Sequence, residues 1–401
     1  MAARVKASSN PKLIKWARET AGFSLADAAS RLDVSEDQMA AWEASEGDAF
    51  PSIPQLRKIA ALFKRPLAVF FMAEPPKTFE VMRDLRRLPG TGMRHFSPTL
   101  QIEIRLANER RQLALELASD IGEDHPDFNL TAAITDNPEQ VGKKIRDALG
   151  VTPQLQLSWK DADGRASFNA WRSRIEIAGA LVFQTTSFPS EEASGFAIWA
   201  KTFPVIAVNR KDAITRRTFS LVHEFAHLML RVSGVSDLET DESRPPEDQR
   251  IEIFCNSVAA AALIPQESLL SEESVLQHGE KSAGWKDAEI TDLSRKFGVS
   301  REAILRRLLT FNKTTKEFYA LKRAQYNLEF HALRRRQKEE ALKKDIKRNM
   351  PQETVGNFGR PFIRMLLGSY YQDQITLSEV SGFLNLKVKH LSKLEQVAGL
   401  T

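Results

Sequence analysis

The chain has 401 residues, 42% of them hydrophobic, enough for two or three domains with ordinary packed cores and too much for a disordered or fibrous polypeptide. Its one cysteine, Cys255, excludes an intrachain disulfide framework. No charged-plus-apolar leader opens the sequence, and no apolar run approaches the roughly 20 residues that span a bilayer, so a cytoplasmic protein without a membrane segment is expected. The net charge of +5 is unevenly spread: residues 295–348 hold 17 Lys/Arg against 6 Asp/Glu.

The first 75 residues read as short helices. In "GFSLADAASRLDVSEDQMAAWEA", Leu25, Ala28, Ala29 and Leu32 share one helical face behind the N-cap Ser24. Asp33 falls where the chain must turn, and a second N-cap, Ser35, opens the next helix. "PSIPQLRKIAALFKRPLAVFF" adds a Pro-opened helix and a short apolar one, enough to close a small five-helix core. The segment resembles the Cro/repressor-type helix-turn-helix family, with Trp42-Glu43 and Pro51-Ser52 at the expected places. The resemblance implies a recognition helix over residues 35–41. That helix carries Glu36 and Asp37, lacks Lys and Arg, and offers Gln38 as its evident base-edge donor and acceptor. Binding of double-stranded DNA through Gln38 and docking of a protein by the same fold both stay open.

"AEPPKTFE" interrupts the helices, and a long helix capped by Ser97 then reads as a connector. "IEIAGALVFQTT", "GFAIWA" and "FPVIAVN", separated by Gly, Pro and Ser, suit a small sheet. The segments "AASRLDVS", "LSRKFGVS" and "VSGFLNLK" echo one another, with Asp33, Gly298 or Asn385 at the turn, residue types that tolerate a left-handed backbone.

After the third strand comes "LVHEFAHLML", residues 221–230. Four-residue spacing puts His223 and His227 on one helical face, where two imidazole nitrogens can meet at a single Zn²⁺ about 2 Å from each. Glu224, one residue on, faces the space beside the ion and can take a proton from a water there. The alternative is a buried helix that contains two satisfied histidines. A zinc needs a third protein ligand. The next helix, "DQRIEIFCNSVAAAALIP", carries Glu252 and Asn256 four apart on one face.

"RRTFSLVHEFAHLML" followed by "IEIFCNSVAAAALIP" resembles the ImmA/IrrE family of metallo-endopeptidases and is similar to the gluzincin arrangement of thermolysin-like proteases. The resemblance implies Glu252 as third ligand and Asn256 as the group that orients a ligand histidine. Cys255 falls at the small-residue position and reads as packing. The family pairs a helix-turn-helix with a peptidase, and its members commonly cleave a separate DNA-binding repressor, relieving repression under stress such as DNA damage or in phage control. An extended substrate adding a strand to "GFAIWA" or "VIAVN" is the family-based expectation. His278 and His331 are the later histidines available to an oxyanion, or are ordinary surface residues.

The fold class expected is α+β and mainly helical. A helix-turn-helix domain spans residues 1–75, a helical linker 76–125, a gluzincin-like peptidase domain 126–315 and a basic helical region 316–401. The basic region, with Arg334, Arg335 and Arg336, offers a second nucleic-acid surface, for single strands. The competing function is a transcription regulator or nucleic-acid sensor whose peptidase-like domain senses a partner.

Overall fold

The structure, a computed structural model, describes residues 7–44, 49–76, 96–120, 127–160, 163–236, 246–343 and 348–399. It divides into two units, residues 1–109 and 110–401. Mostly helical with one small mixed sheet, it is an α+β protein, and no described helix is long and apolar enough to cross a membrane.

The first unit holds α1 (Pro11–Thr20), α2 (Leu25–Leu32), α3 (Glu36–Glu43), α4 (Ile53–Phe63) and a 3₁₀ turn at Leu67–Phe71. Ser24 and Ser35 cap α2 and α3, accepting from the Asp27 and Gln38 backbone N–H groups at 3.0 and 3.2 Å. Between these helices Asp33 is left-handed, with φ 58°, and the Val34 N–H returns to the Ala29 carbonyl. Ala28, Ala29 and Leu32, from the face that the apolar spacing indicated, are buried with Ile14, Met39, Trp42, Leu56 and Phe63, and Leu25 packs against them.

Helix α5 (Pro98–Asp120) runs across the division between the units, with Ser97 accepting from the Leu100 N–H at 3.3 Å. Within the first unit, buried Arg105 donates to the Phe63 and Lys64 carbonyls at 2.9 and 2.7 Å, satisfying groups orphaned where α4 ends. Within the second, Arg111 donates to the Thr202 and Phe203 carbonyls.

The second unit continues with α6 (Pro138–Leu149), α7 (Pro153–Ser158) and α8 (Arg165–Ile177), then strands β1 (Leu181–Thr185), β2 (Gly195–Ile198) and β3 (Val205–Asn209). Helix α9 (Ile214–Met229), strand β4 (Gly234–Ser236) and helix α10 (Pro246–Leu263) follow. The sheet order is β1-β3-β2-β4, with β1 parallel to β3 and the other two pairings antiparallel. This overturns one expectation. "GFAI" and "VIAVN" are the two inner strands, each bonded on both sides, so neither offers an edge to a substrate; the outer strands are β1 and β4.

Val182, Ala197, Ile206 and Val208 face a core shared with Trp171, Leu221, Phe225 and Val258. Helix α10 lies close to α6 because residue 142 is glycine: a Cβ there would stand 2.7 Å from the Ala261 Cβ and 2.8 Å from the Ala262 nitrogen. The carbonyls that end α10 are satisfied by buried side chains, Ala262 by Arg146 at 2.8 Å, Leu263 by Gln156 at 2.8 Å and Ile264 by Arg307 at 2.7 Å. Cations at a helix C-terminus also suit its dipole. The helix that bears Glu252 is thereby held at its far end.

Helices α11 (Gln266–Leu270), α12 (Glu273–Gln277), α13 (Asp287–Phe297), α14 (Arg301–Thr310) and α15 (Lys316–Lys343) lead to α16 (Met350–Phe358), α17 (Arg360–Tyr371), α18 (Leu377–Leu384) and α19 (Leu391–Ala398), the last preceded by a 3₁₀ turn at Val388–His390. The repeated turn is real: Asp33, Gly298 and Asn385 have φ 58°, 67° and 47°. After each, the next residue's N–H bonds the carbonyl five positions back. Helices α16 and α17 meet the sheet, with the Gly356 carbonyl accepting from Arg172 and Gln184, both at 2.7 Å, and Phe362 edge-on to Phe183 at 5.6 Å.

Candidate metal centre

Residues 220–229 of α9 are buried without interruption, His223 and Glu224 at 0% exposure and His227 at 1%. A helix apolar all round belongs inside a domain. Its hydroxyls are reconciled with burial by back-bonding, Thr218 to the Ile214 carbonyl and Ser220 to the Arg216 carbonyl, each at 3.1 Å. Histidines and a glutamate in such a setting need partners that compensate for lost water.

Those partners converge. His223 Nε2 lies 3.1 Å from His227 Nε2 and 3.3 Å from Glu252 Oε2, and His227 Nε2 lies 3.5 Å from Glu252 Oε1. Two ligands each about 2.1 Å from a tetrahedral ion are separated by about 3.4 Å, close to each of these spacings, although the two histidines are nearest different oxygens of Glu252. His223, His227 and Glu252 form a buried group whose donor atoms all lie within 4.8 Å of one another and which could hold a metal ion. Two imidazoles and one carboxylate are a donor set that suits a borderline divalent cation. The residues present therefore fit the ion that the spacing implied.

Burial would pull His223 down, but hydrogen bonding and charge from Glu252 outweigh it and leave the ring raised, with Glu224 and Asn256 adding in the same direction. Burial would raise Glu252, and the two imidazoles overcome it, holding the carboxyl well below the usual carboxylate range. Asn256, one turn beyond Glu252, is thus among the groups acting on His223. Cys255 points into the apolar core, its thiol pushed up by burial, and is not in the metal-capable group.

Two residues of the sheet complete the surroundings, and neither stands out in the sequence. Gly195 of β2 pairs in register with Ser236 of β4. A Cβ on Gly195 would meet the Ala207 carbonyl oxygen at 2.8 Å and Glu224 Oε1 at 3.0 Å, so glycine is what lets the Glu224 carboxylate lie against the strand. Gly195→Ala is expected to displace Glu224 and lower turnover at least tenfold while metal content stays at the wild-type value, at a stability cost of about 1–3 kcal/mol for overpacking. Metal analysis beside steady-state cleavage rates checks this, and unchanged turnover would show that Glu224 tolerates the shift. The Ser236 hydroxyl stands 3.2 Å from His223 Nε2 and 3.3 Å from His227 Nε2. No periodicity links residue 236 to the histidine helix; only the sheet register brings it there.

The remaining candidates lie elsewhere. Gln38 is exposed at the start of α3, beside exposed Glu36 and Asp37. Arg334 is half-buried, donates to the Lys211 carbonyl at 2.8 Å and lies over the Phe330 ring, whereas Arg335 and Arg336 are exposed. His278 stacks on Trp285 and bonds Ser282 and Glu289 at 3.0 and 3.2 Å, a structural role, and His331 is exposed.

A buried His-His-Glu group beside a second glutamate, carried on consecutive long helices next to a mixed sheet, defines a metallopeptidase-like domain. Residues 178–309 match the peptidase family model described as the IrrE N-terminal-like domain, a stretch that contains all four of these residues. No curated protein matches the chain.

Proposed function

We propose that the second unit is a zinc-dependent endopeptidase that cleaves a regulatory protein, a DNA-binding repressor being the substrate class, and so relieves repression under stress or in mobile-element control. The observation that carries the reading is the convergence of His223, His227 and Glu252 with Glu224 buried alongside. His223, His227 and Glu252 would hold Zn²⁺, and Asn256 would steady the His223 ring. When bound, the ion supplies Lewis-acid polarisation of a peptide carbonyl and lowers the pKa of water. Glu224 accepts the proton released by water and returns it to the departing amine, its carboxylate lying in the space that Gly195 leaves beside the strand. With β2 and β3 inside the sheet, an extended substrate would run along the outer strand β4.

The experiment is intact-mass spectrometry of a repressor encoded beside this chain, co-expressed with the wild type and with Glu224→Gln, with and without DNA damage. Fragments with the wild type alone support the reading. An intact repressor in every condition, with zinc bound, counts against that substrate.

A second reading, a nucleic-acid-responsive regulator, is favoured by the exposure of Gln38 in the first unit and of Arg335 and Arg336 on α15. Each phosphate neutralised contributes about −0.7 to the log–log salt slope for single strands. Replacing Arg335 and Arg336 together by alanine should lower the slope by about 1.4, read by fluorescence anisotropy of a single-stranded oligonucleotide across salt concentrations. A slope that does not change removes these arginines from the interface.

A further inference from the structure

Ser236 has a position that neither its residue type nor the proposed reaction requires. Its side chain is buried with the histidines, and the residue is 1% exposed. The Oγ lies 3.2 and 3.3 Å from the two imidazole Nε2 atoms, inside the 3.1–3.5 Å range that separates the three expected ligands from one another. The hydroxyl is therefore spaced from both imidazole nitrogens as a further donor to the same ion would be. Its backbone is fixed by the neighbouring strand: the Ser194 N–H donates to the Ser236 carbonyl at 3.0 Å, and residue 236 is in register with Gly195, on whose open side Glu224 rests.

We infer that the Ser236 hydroxyl is a fourth protein donor at the metal centre, closing the coordination shell of the resting protein with a neutral oxygen from strand β4. The inference rests on the metal-centre reading above. A catalytic zinc keeps one position for water, whereas four protein donors make a closed site. Ser236 would then compete with water for a place on any ion held there, both being neutral oxygen donors. Ser236 stands on the outer strand along which the proposed substrate would run.

The test uses the full chain loaded with Co²⁺, read by visible and near-ultraviolet absorption and by competition with a chromophoric chelator. The wild type, whose only thiol is buried Cys255, binds one Co²⁺ and sets the baseline. Ser236→Cys puts a thiol at the same position, and a new thiolate-to-Co²⁺ charge-transfer band is expected, which arises only when sulfur touches the ion. Ser236→Ala is expected to shift the visible bands and weaken Co²⁺ binding roughly tenfold. A Ser236→Cys protein that binds one Co²⁺ without the band overturns the proposal, as does an alanine variant indistinguishable from the wild type in spectrum and affinity. A wild type that binds no Co²⁺ overturns the metal-centre reading itself, a result set apart from the other two by the baseline sample.

Discussion

Glu224→Gln is expected to lower the rate of peptide cleavage by about 10²–10⁴-fold, the contribution of a positioned general acid-base group, while metal content and fold are retained. Glutamine has the shape of glutamate and fills the same space against Gly195, but its amide cannot take up a proton at neutral pH. The three candidate ligands come from positions 223, 227 and 252, so their donor atoms are untouched. Replacing a buried carboxylate by a neutral group also removes a desolvated charge, so the melting temperature should not fall. Single-turnover cleavage, elemental analysis for zinc and thermal unfolding of the same preparations separate these quantities. Cleavage that persists in the variant would assign the base to another residue. Loss of zinc together with activity would instead make Glu224 part of the metal shell.

At Glu252 the consequence reverses, with metal lost first and activity following from it. Glu252 supplies the only carboxylate of the candidate triad, and it comes from a different helix than the two histidines. Glu252→Ala leaves two buried imidazoles without their anion. Metal affinity should fall by more than the roughly 10–100-fold that partners outside the ligand shell command. The effect is also visible as stability, because an ion that binds only the folded chain adds about 2.7 kcal/mol when present at 100 times its dissociation constant. Thermal unfolding of metal-stripped wild type should therefore shift upward as zinc is titrated in, and the same titration of Glu252→Ala should leave its transition in place. A variant that responds to zinc as the wild type does would remove Glu252 from the ligand set.

The two variants test different helices. Glu224 depends on a strand beneath it, whereas Glu252 depends on α10 being held by α6 and by the buried Arg146, Gln156 and Arg307 at its C-terminal end. These anchors lie far along the sequence from residue 252. A mutation at Gly142 could thus affect the metal centre without touching it, through the approach of α6 to Ala261 and Ala262.

What could be read in the sequence was local in origin. Serines 24, 35 and 97 announce helix starts because a side-chain oxygen reaches a backbone N–H three residues on. Asp33, Gly298 and Asn385 announce turns because a left-handed backbone selects residue type. His223, Glu224 and His227 announce their chemistry because 3.6 residues per turn sets which side chains share a face. On the next helix the same periodicity puts Glu252 and Asn256 on one face, and the family resemblance, not the spacing, implies Glu252 as the third ligand. The strand order was not legible: a short run of apolar β-formers states that a strand exists but not which strand lies beside it, and both strands expected at an edge are inner ones. Gly195 and Ser236, separated by 41 positions in the sequence, come to the candidate metal centre only through the pairing of β2 with β4. Likewise, Gly356 and Phe362 meet the sheet far from any neighbour in the chain. Periodicity is a property of a single element and is written along it. The surroundings of the candidate metal centre are a property of register and packing between elements, which are settled only when the whole apolar surface is buried at once.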